Sequence, residues 1–147
     1  MNRFGLQAYR KVAVDANVAV ADPHALVLML YDGAIEAIRR ATGHLAAGQV
    51  AEKGAALAKA ARIVEEGLKA AVDRGAGGEL TRRLLELYDY MTMRLLQANL
   101  RNDRQALAEV ARLLAELRSA WAQIKPGPTA TAAPLSAQPV RQLAAHA

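Results

Sequence analysis

The chain lacks cysteine altogether and has one tryptophan, one phenylalanine and five prolines in 147 residues. Without cysteine, neither a disulfide framework nor a thiolate metal site can form. There is no Glu-x-x-His pair, the motif from which helical bundles build a di-iron centre. The three histidines are His24, His44 and His146. The first two fall at opposite ends of one expected helix, about 30 Å apart at a rise of ~1.5 Å per residue, and cannot share a metal. No serine or threonine stands in a recognisable nucleophile arrangement, and no glycine-rich phosphate loop follows a strand. Gly75, Gly77 and Gly78 read as a hinge. The expectation is a protein that is not an enzyme and needs no cofactor.

Long apolar runs are missing too. None approaches the roughly 20 residues that cross a bilayer, so membrane insertion is not expected. The first residues, M-N-R-F-G-L-Q-A-Y-R, have neither the apolar core nor the small-residue cleavage site of a secretory signal. A cytoplasmic protein is expected. The net charge is +5, but two cations and no acid lie from Lys125 onward, which leaves +3 for the rest. The remaining basic residues are spread thinly among acids. A nucleic-acid binder concentrates them on one stripe, so no nucleic-acid partner is expected.

Alanine, leucine, arginine and glutamate dominate what is present, a composition that favours helix throughout. Residues 4–17 form a short, weakly patterned first segment. The second helix begins at Asp22, an N-cap, with Pro23 at the first helical position, where its fixed φ fits and its missing donor costs little. It runs to about Ala47 on a seam of Val27, Tyr31, Ala34, Ile38, Ala41 and Leu45, and Gly48 is a left-handed stop. Leu26 to Tyr31 cover its whole circumference for nearly two turns, and a helix apolar on all sides must be covered on all sides. The cover is the chain's own N-terminus, a second subunit or a partner.

A third helix, about Val50 to Arg74, repeats the spacing in Val50, Gly54, Leu57, Ala61, Val64, Leu68 and Ala71. Glu79 opens a fourth with an anion at its positive end. Its seam is Leu80, Leu84, Leu87, Met91, Leu95 and Ala98. Asn102 caps a fifth, with Gln105 three residues on, close to a capping box. Its seam is Leu107, Val110, Leu114, Leu117, Trp121 and Ile124. Short loops make neighbouring helices antiparallel. The expected fold is all-α: an up-down-up-down four-helix bundle over 22–124, preceded by an N-terminal segment, 1–21, that can cap a groove. A Pro/Ala-rich tail, 125–147, is expected to be disordered.

These residues together resemble the flagellar export chaperone FliS family. The likeness covers about Ala8 to Ile124. It rests on A-Y at 8–9, D-P-H-A-L-V-L-M-L-Y-D-G-A-I at 22–35 and G-G-E-L at 77–80. It continues through L-Y-D-Y-M at 87–91, R-L-L-Q-A-N-L at 94–100 and A-W at 120–121. Where the family often has serine before the proline of the second motif, this chain has Asp22; either can cap. The resemblance implies a cytoplasmic helical bundle that binds the disordered C-terminal segment of flagellin. It implies that the bundle prevents premature polymerisation and delivers its client to the flagellar type III export gate. The residues read independently say less: an all-helical, non-catalytic domain with apolar surface that needs a cover. That leaves a second reading open, a structural bundle that self-associates through this surface.

The candidate partner-binding residues are Tyr9, Val12, Leu28, Tyr31, Ile35, Tyr88 and Asn99. Tyr9 fits a cap that a client displaces, or a tyrosine packed permanently on the bundle. Leu28 and Ile35 lie off the Val27/Tyr31/Ile38 seam and either line a groove or sit under the N-terminal segment. Of Tyr88 and Tyr90, one is core and Tyr88 is taken as nearer the groove. Met91 and Trp121 continue seams and are taken as core. Asn99 bonds a client backbone or caps a helix end, and Asp32 and Asp89 are solvated or paired within their own helices.

Overall fold

In the computed structural model of the chain the residues described are Val12, 22–72 and 77–124. Tyr9, residues 73–76 and the tail from Lys125 lie outside them, as do the rest of the N-terminal segment and the expectations placed there. The described residues are helical, with no strand among them.

Helix α1, Pro23–Ala46, starts as its sequence dictates. The Asp22 carboxylate accepts the Ala25 N–H at 2.9 Å, with Pro23 at the first position. It stops at Gly48, whose φ of +72° only a residue without Cβ takes at little cost. There the Gly48 N–H reaches the Leu45 carbonyl at 3.1 Å and the Gln49 N–H reaches His44 at 2.9 Å, which satisfies two otherwise orphan acceptors.

Helix α2, Val50–Arg62, passes without a break into a π-helical stretch, Ile63–Leu68, and a last α turn, Lys69–Ala71. This corrects the expected seam. Before the π stretch the inward residues are Lys53, Leu57 and Ala60; within it adjacent pairs turn inward, Ile63 with Val64 and Gly67 with Leu68. A π turn holds an extra residue, so a strict heptad written across it drifts out of phase. Val50, expected on the seam, is exposed.

Helix α3 is Gly78–Arg101 and helix α4 is Arg104–Ala122. In the first half of α3 the buried face is set by Thr81 and Tyr88, while Leu84 and Leu87 pack half-buried beside the core. Leucines at 80, 84, 85 and 87 leave the phase ambiguous, and the Tyr88 hydroxyl bond described below selects it. The α3–α4 turn is also one residue off the expectation. Asn102 is not the cap of α4 but the left-handed end of α3, at φ 53° and ψ 48°. Asp103 caps α4, its carboxylate accepting the N–H groups of Gln105 at 3.0 Å and Ala106 at 3.2 Å.

The rods form a ring in which each packs on the next and α4 closes onto α1. The start of α1 meets the end of α4 and the start of α2 meets the end of α3, as antiparallel neighbours must. Leu30, Ile38, Ile63, Leu68, Met91, Leu95, Leu107 and Leu114 are fully buried side chains of the one core. Each contributes about 1.5–3 kcal/mol by leaving water.

Candidate binding site

One end of the bundle is built from the start of α1, the end of α2, the start of α3 and the end of α4. An apolar cavity of about 40 Å³ sits there, lined among others by Val27, Tyr31, Leu68, Val72, Tyr88 and Trp121. That volume holds the tip of one branched side chain, or a water at most, and the walls offer water almost no polar partner.

Tyr31 and Tyr88, placed on different helices by the sequence reading, meet at this end with their hydroxyl oxygens 2.7 Å apart. Both are buried. Burial pushes the Tyr31 phenol up to about 12, although the bond to Tyr88 acts in the opposite direction. Tyr88 is thus a core tyrosine with its hydroxyl paired. Tyr90 points to the side, where its O–H donates to Glu109 at 2.6 Å beside Arg94. Trp121 and His24 seal the rim reciprocally. The indole N–H donates to the His24 carbonyl at 2.9 Å, the rings stack with centroids 5.2 Å apart, and His24 Nε2 lies 2.9 Å from the Trp121 carbonyl.

Val12 is fully buried next to this cavity. A Cβ on Gly67 would stand 3.1 Å from Val12 Cγ1 and 3.2 Å from Leu30 Cδ2. The missing side chain at Gly67, inside the π stretch, therefore makes the socket that Val12 fills. Leu30 and Gly67 directly precede Tyr31 and Leu68, two of the cavity's walls.

The other candidates are not gathered at this socket. Leu28 and Ile35 are half-buried, and Ile35 packs against the core. Both lie on the flank of α1 that carries His24 and Asp32, and those two residues contact α4. They therefore line the α1–α4 seam. Asn99 is at the other end of the bundle, about 16 Å from Tyr88 along the helix axis. Its carbonyl accepts a bond from Lys53 Nζ at 3.0 Å, and its side-chain amide stands 3.9 Å from where a Cβ on Gly54 would be.

Three features escaped the sequence reading. Lys53 is buried, its Nζ donating to the Asn99 carbonyl and, at 2.5 Å, to Asn102 Oδ1. A lysine in a helix reads as surface, and nothing local marks this one as an end-cap for α3. Asp32 and Asp89 pair across helices instead of within them, Asp32 with Arg118 at 2.5 Å and Asp89 with Lys69 at 2.6 Å. Met93, Leu96 and Leu100 form an exposed row at helical spacing, a signal present in the sequence but off the seam.

Among the described residues no group of histidines and acids could hold a metal, and no helix is long and apolar enough to cross a membrane. What fold and site define is a helical-bundle protein with an apolar socket that seats a side chain from outside the bundle. The family model of the flagellar protein FliS matches residues 5–128, and the chain belongs to that family. It is 52% identical over 122 residues to the flagellar secretion chaperone FliS of Salmonella typhimurium, covering 83% of this chain and 90% of that protein. It is 43% identical over 117 residues to the chaperone of the same name from Escherichia coli, covering 80% and 86%. With that of Bacillus subtilis the identity is 38% over 107 residues, covering 73% and 78%.

Proposed function

We propose that this flagellar secretion chaperone works in the cytoplasm by binding the disordered C-terminal segment of flagellin. It thereby holds flagellin back from polymerising and presents it to the flagellar type III export apparatus, without catalysis. The observation that carries this reading is the Val12 socket. An apolar side chain from a segment outside the bundle fills a slot between α1 and α2, and an apolar residue of an unfolded guest has the chemistry to replace it. Leu28 and Ile35 offer the guest a separate apolar strip along the α1–α4 seam, and Tyr9 lies three residues before Val12 in the sequence. Tyr31 and Tyr88 line the cavity at the same end; Asn99 would serve a guest long enough to reach the far end. A guest that orders on binding loses conformational entropy, so a long contact gives moderate affinity.

Size-exclusion chromatography with light scattering, with and without a flagellin C-terminal peptide, tests this. A monomer that forms a one-to-one complex is expected; a stable dimer indifferent to the peptide would support the self-associating bundle instead. Leu28→Asp should weaken peptide binding about tenfold while helicity stays unchanged, because the residue is only half-buried. Loss of helicity would make Leu28 a core residue. Removing residues 1–17 should raise the peptide's association rate, and an unchanged rate counts against Val12 as a displaceable cover.

A further inference from the structure

Nothing in the residues of Ile63–Leu68 asks for a π turn. The stretch holds no proline, and its glutamates and leucine favour α-helix. Such turns are rare, so packing must hold this one. Its hydrogen bonding is explicit: the Lys69 N–H reaches the Val64 carbonyl, five residues back, where an α-helix would give it Glu65. Continued as plain α-helix from Leu57 and Ala60, the chain would bring Val64, Gly67 and Ala71 to the inward line. Leu68 and Val72 would then stand about 100° round from it. The extra residue turns the end of α2 by about that angle. Leu68 and Val72 are accordingly buried and line the cavity, while Ala71 is only partly buried.

The π register thus fills the end of the bundle with the chain's own leucine and valine. The α register would leave that place to Gly67 and Ala71, a methyl at most, and would take its filling from elsewhere. Two contacts bear on the stretch. Inside, Val12 rests against Gly67 beside Leu30, so displacing Val12 acts on the π turn directly. Outside, Lys69 donates to Asp89 at 2.6 Å and to Glu65 at 3.2 Å, and Thr92 donates to Glu65 at 3.2 Å. A turn of about 100° parts Lys69 from Asp89. An ion pair with so exposed a carboxylate resists that little. We propose, building on the guest reading above, that the end of α2 is a two-register device. It is π while the bundle fills its own end, and it becomes α when guest side chains take the places of Val12, Leu68 and Val72. The guest displaces part of the wall as well as the cover, and the room it enters is larger than the cavity of the empty bundle. Its hold on the device equals the difference between its affinities for the two registers.

The test uses the full chain and a flagellin C-terminal peptide. In the free protein, NMR should show a through-hydrogen-bond coupling from the Lys69 amide nitrogen to the Val64 carbonyl. With the peptide bound, that coupling should vanish and one to the Glu65 carbonyl should replace it. The double variant Lys69→Cys/Asp89→Cys, joined by a short cleavable thiol cross-linker, holds α2 and α3 in the π register. The chain has no other cysteine to compete for the reagent. Cross-linked, the variant should bind the peptide at least about tenfold more weakly than the same protein after cleavage, with unchanged helicity. A bound peptide that leaves the Lys69 amide on Val64 overturns the device while the chaperone reading stands. So does equal affinity before and after cleavage. A peptide that fails to bind the unaltered chain removes the guest reading, and the device falls with it.

Discussion

The two ends of the bundle are held by different physics. At the Lys53 end several terminal backbone groups have partners. Gly48 and Gln49 close α1, Asp103 caps α4, and the Lys53 ammonium joins the Asn99 carbonyl to Asn102. Hydrogen bonds from a charged donor, shielded from water, are directional and costly to break. At the Tyr31 end the walls are apolar, one hydroxyl pair spans α1 and α3, and a cavity remains open beside a side chain borrowed from outside the bundle. Apolar contact is non-directional and tolerates exchange of one side chain for another of similar volume. The function proposed above would use both properties: one end that keeps the four rods in register, and another that can trade its filling.

The largest effect that would break this contrast comes from Lys53→Ala. It removes two hydrogen bonds and the buried aliphatic stem, and it takes the Lys53 donor from the Asn99 carbonyl. Chemical denaturation should show a loss of about 2–4 kcal/mol. Lys53→Met keeps the stem without the donors and should lose less. If Lys53→Ala cost under about 0.5 kcal/mol, the polar end would not be holding the register.

Gly67→Ala acts on the opposite end with a smaller cost. Its new Cβ meets Val12 and Leu30 at 3.1–3.3 Å, closer than ordinary contact, so one of the two must yield, and Val12 is the one that does so if it is the displaceable cover proposed above. Overpacking costs about 1–3 kcal/mol, and alanine returns about 0.5–1 through its better helix propensity. The net loss should be about 1–2 kcal/mol, with hydrogen exchange accelerating at Val12 before it accelerates in α3 or α4. Uniform acceleration across the molecule would mean that Val12 is integral core and not a displaceable filling.

The sequence made the rods legible because their determinants are local. Asp22–Pro23 and Gly48 announce the ends of α1, and the α4 row from Leu107 to Leu117 is the buried row observed. The phase of α2 was not legible, because the π stretch adds a residue to a turn and nothing in I-V-E-E-G-L spells that out. Asn102 and Asp103 are both good capping residues, and which does what depends on Lys53, a residue 49 positions away. The binding site divides the same way. Tyr31, Tyr88 and Val12 stand out as types and positions, but their meeting at one end is tertiary. Gly67 is one small residue among many in a helix rich in alanine and glycine, and only the approach of Leu30 and Val12 sets it apart.

Tyr31→Phe makes the gentlest cut and sharpens the contrast most. At neutral pH it removes one buried hydroxyl bond and little volume, a loss of about 0.5–1.5 kcal/mol. Its distinctive reading is at alkaline pH. The Tyr31 phenol rises from 10.0 to about 12 on folding. Between those values the unfolded chain releases this proton and the folded chain keeps it. The stabilisation is therefore complete below pH 10 and is lost as pH climbs through the folded value. Linkage sets the loss from this group at about 1.4 kcal/mol per pH unit across that window, or roughly 2–3 kcal/mol in all. The phenylalanine variant should lack that part of the slope, so that the stability curves of variant and parent meet and cross between pH 10 and 12. Parallel curves would mean that water reaches the tyrosine pair, and the apolar end would then be wetter, and less ready to take an apolar guest, than its walls require.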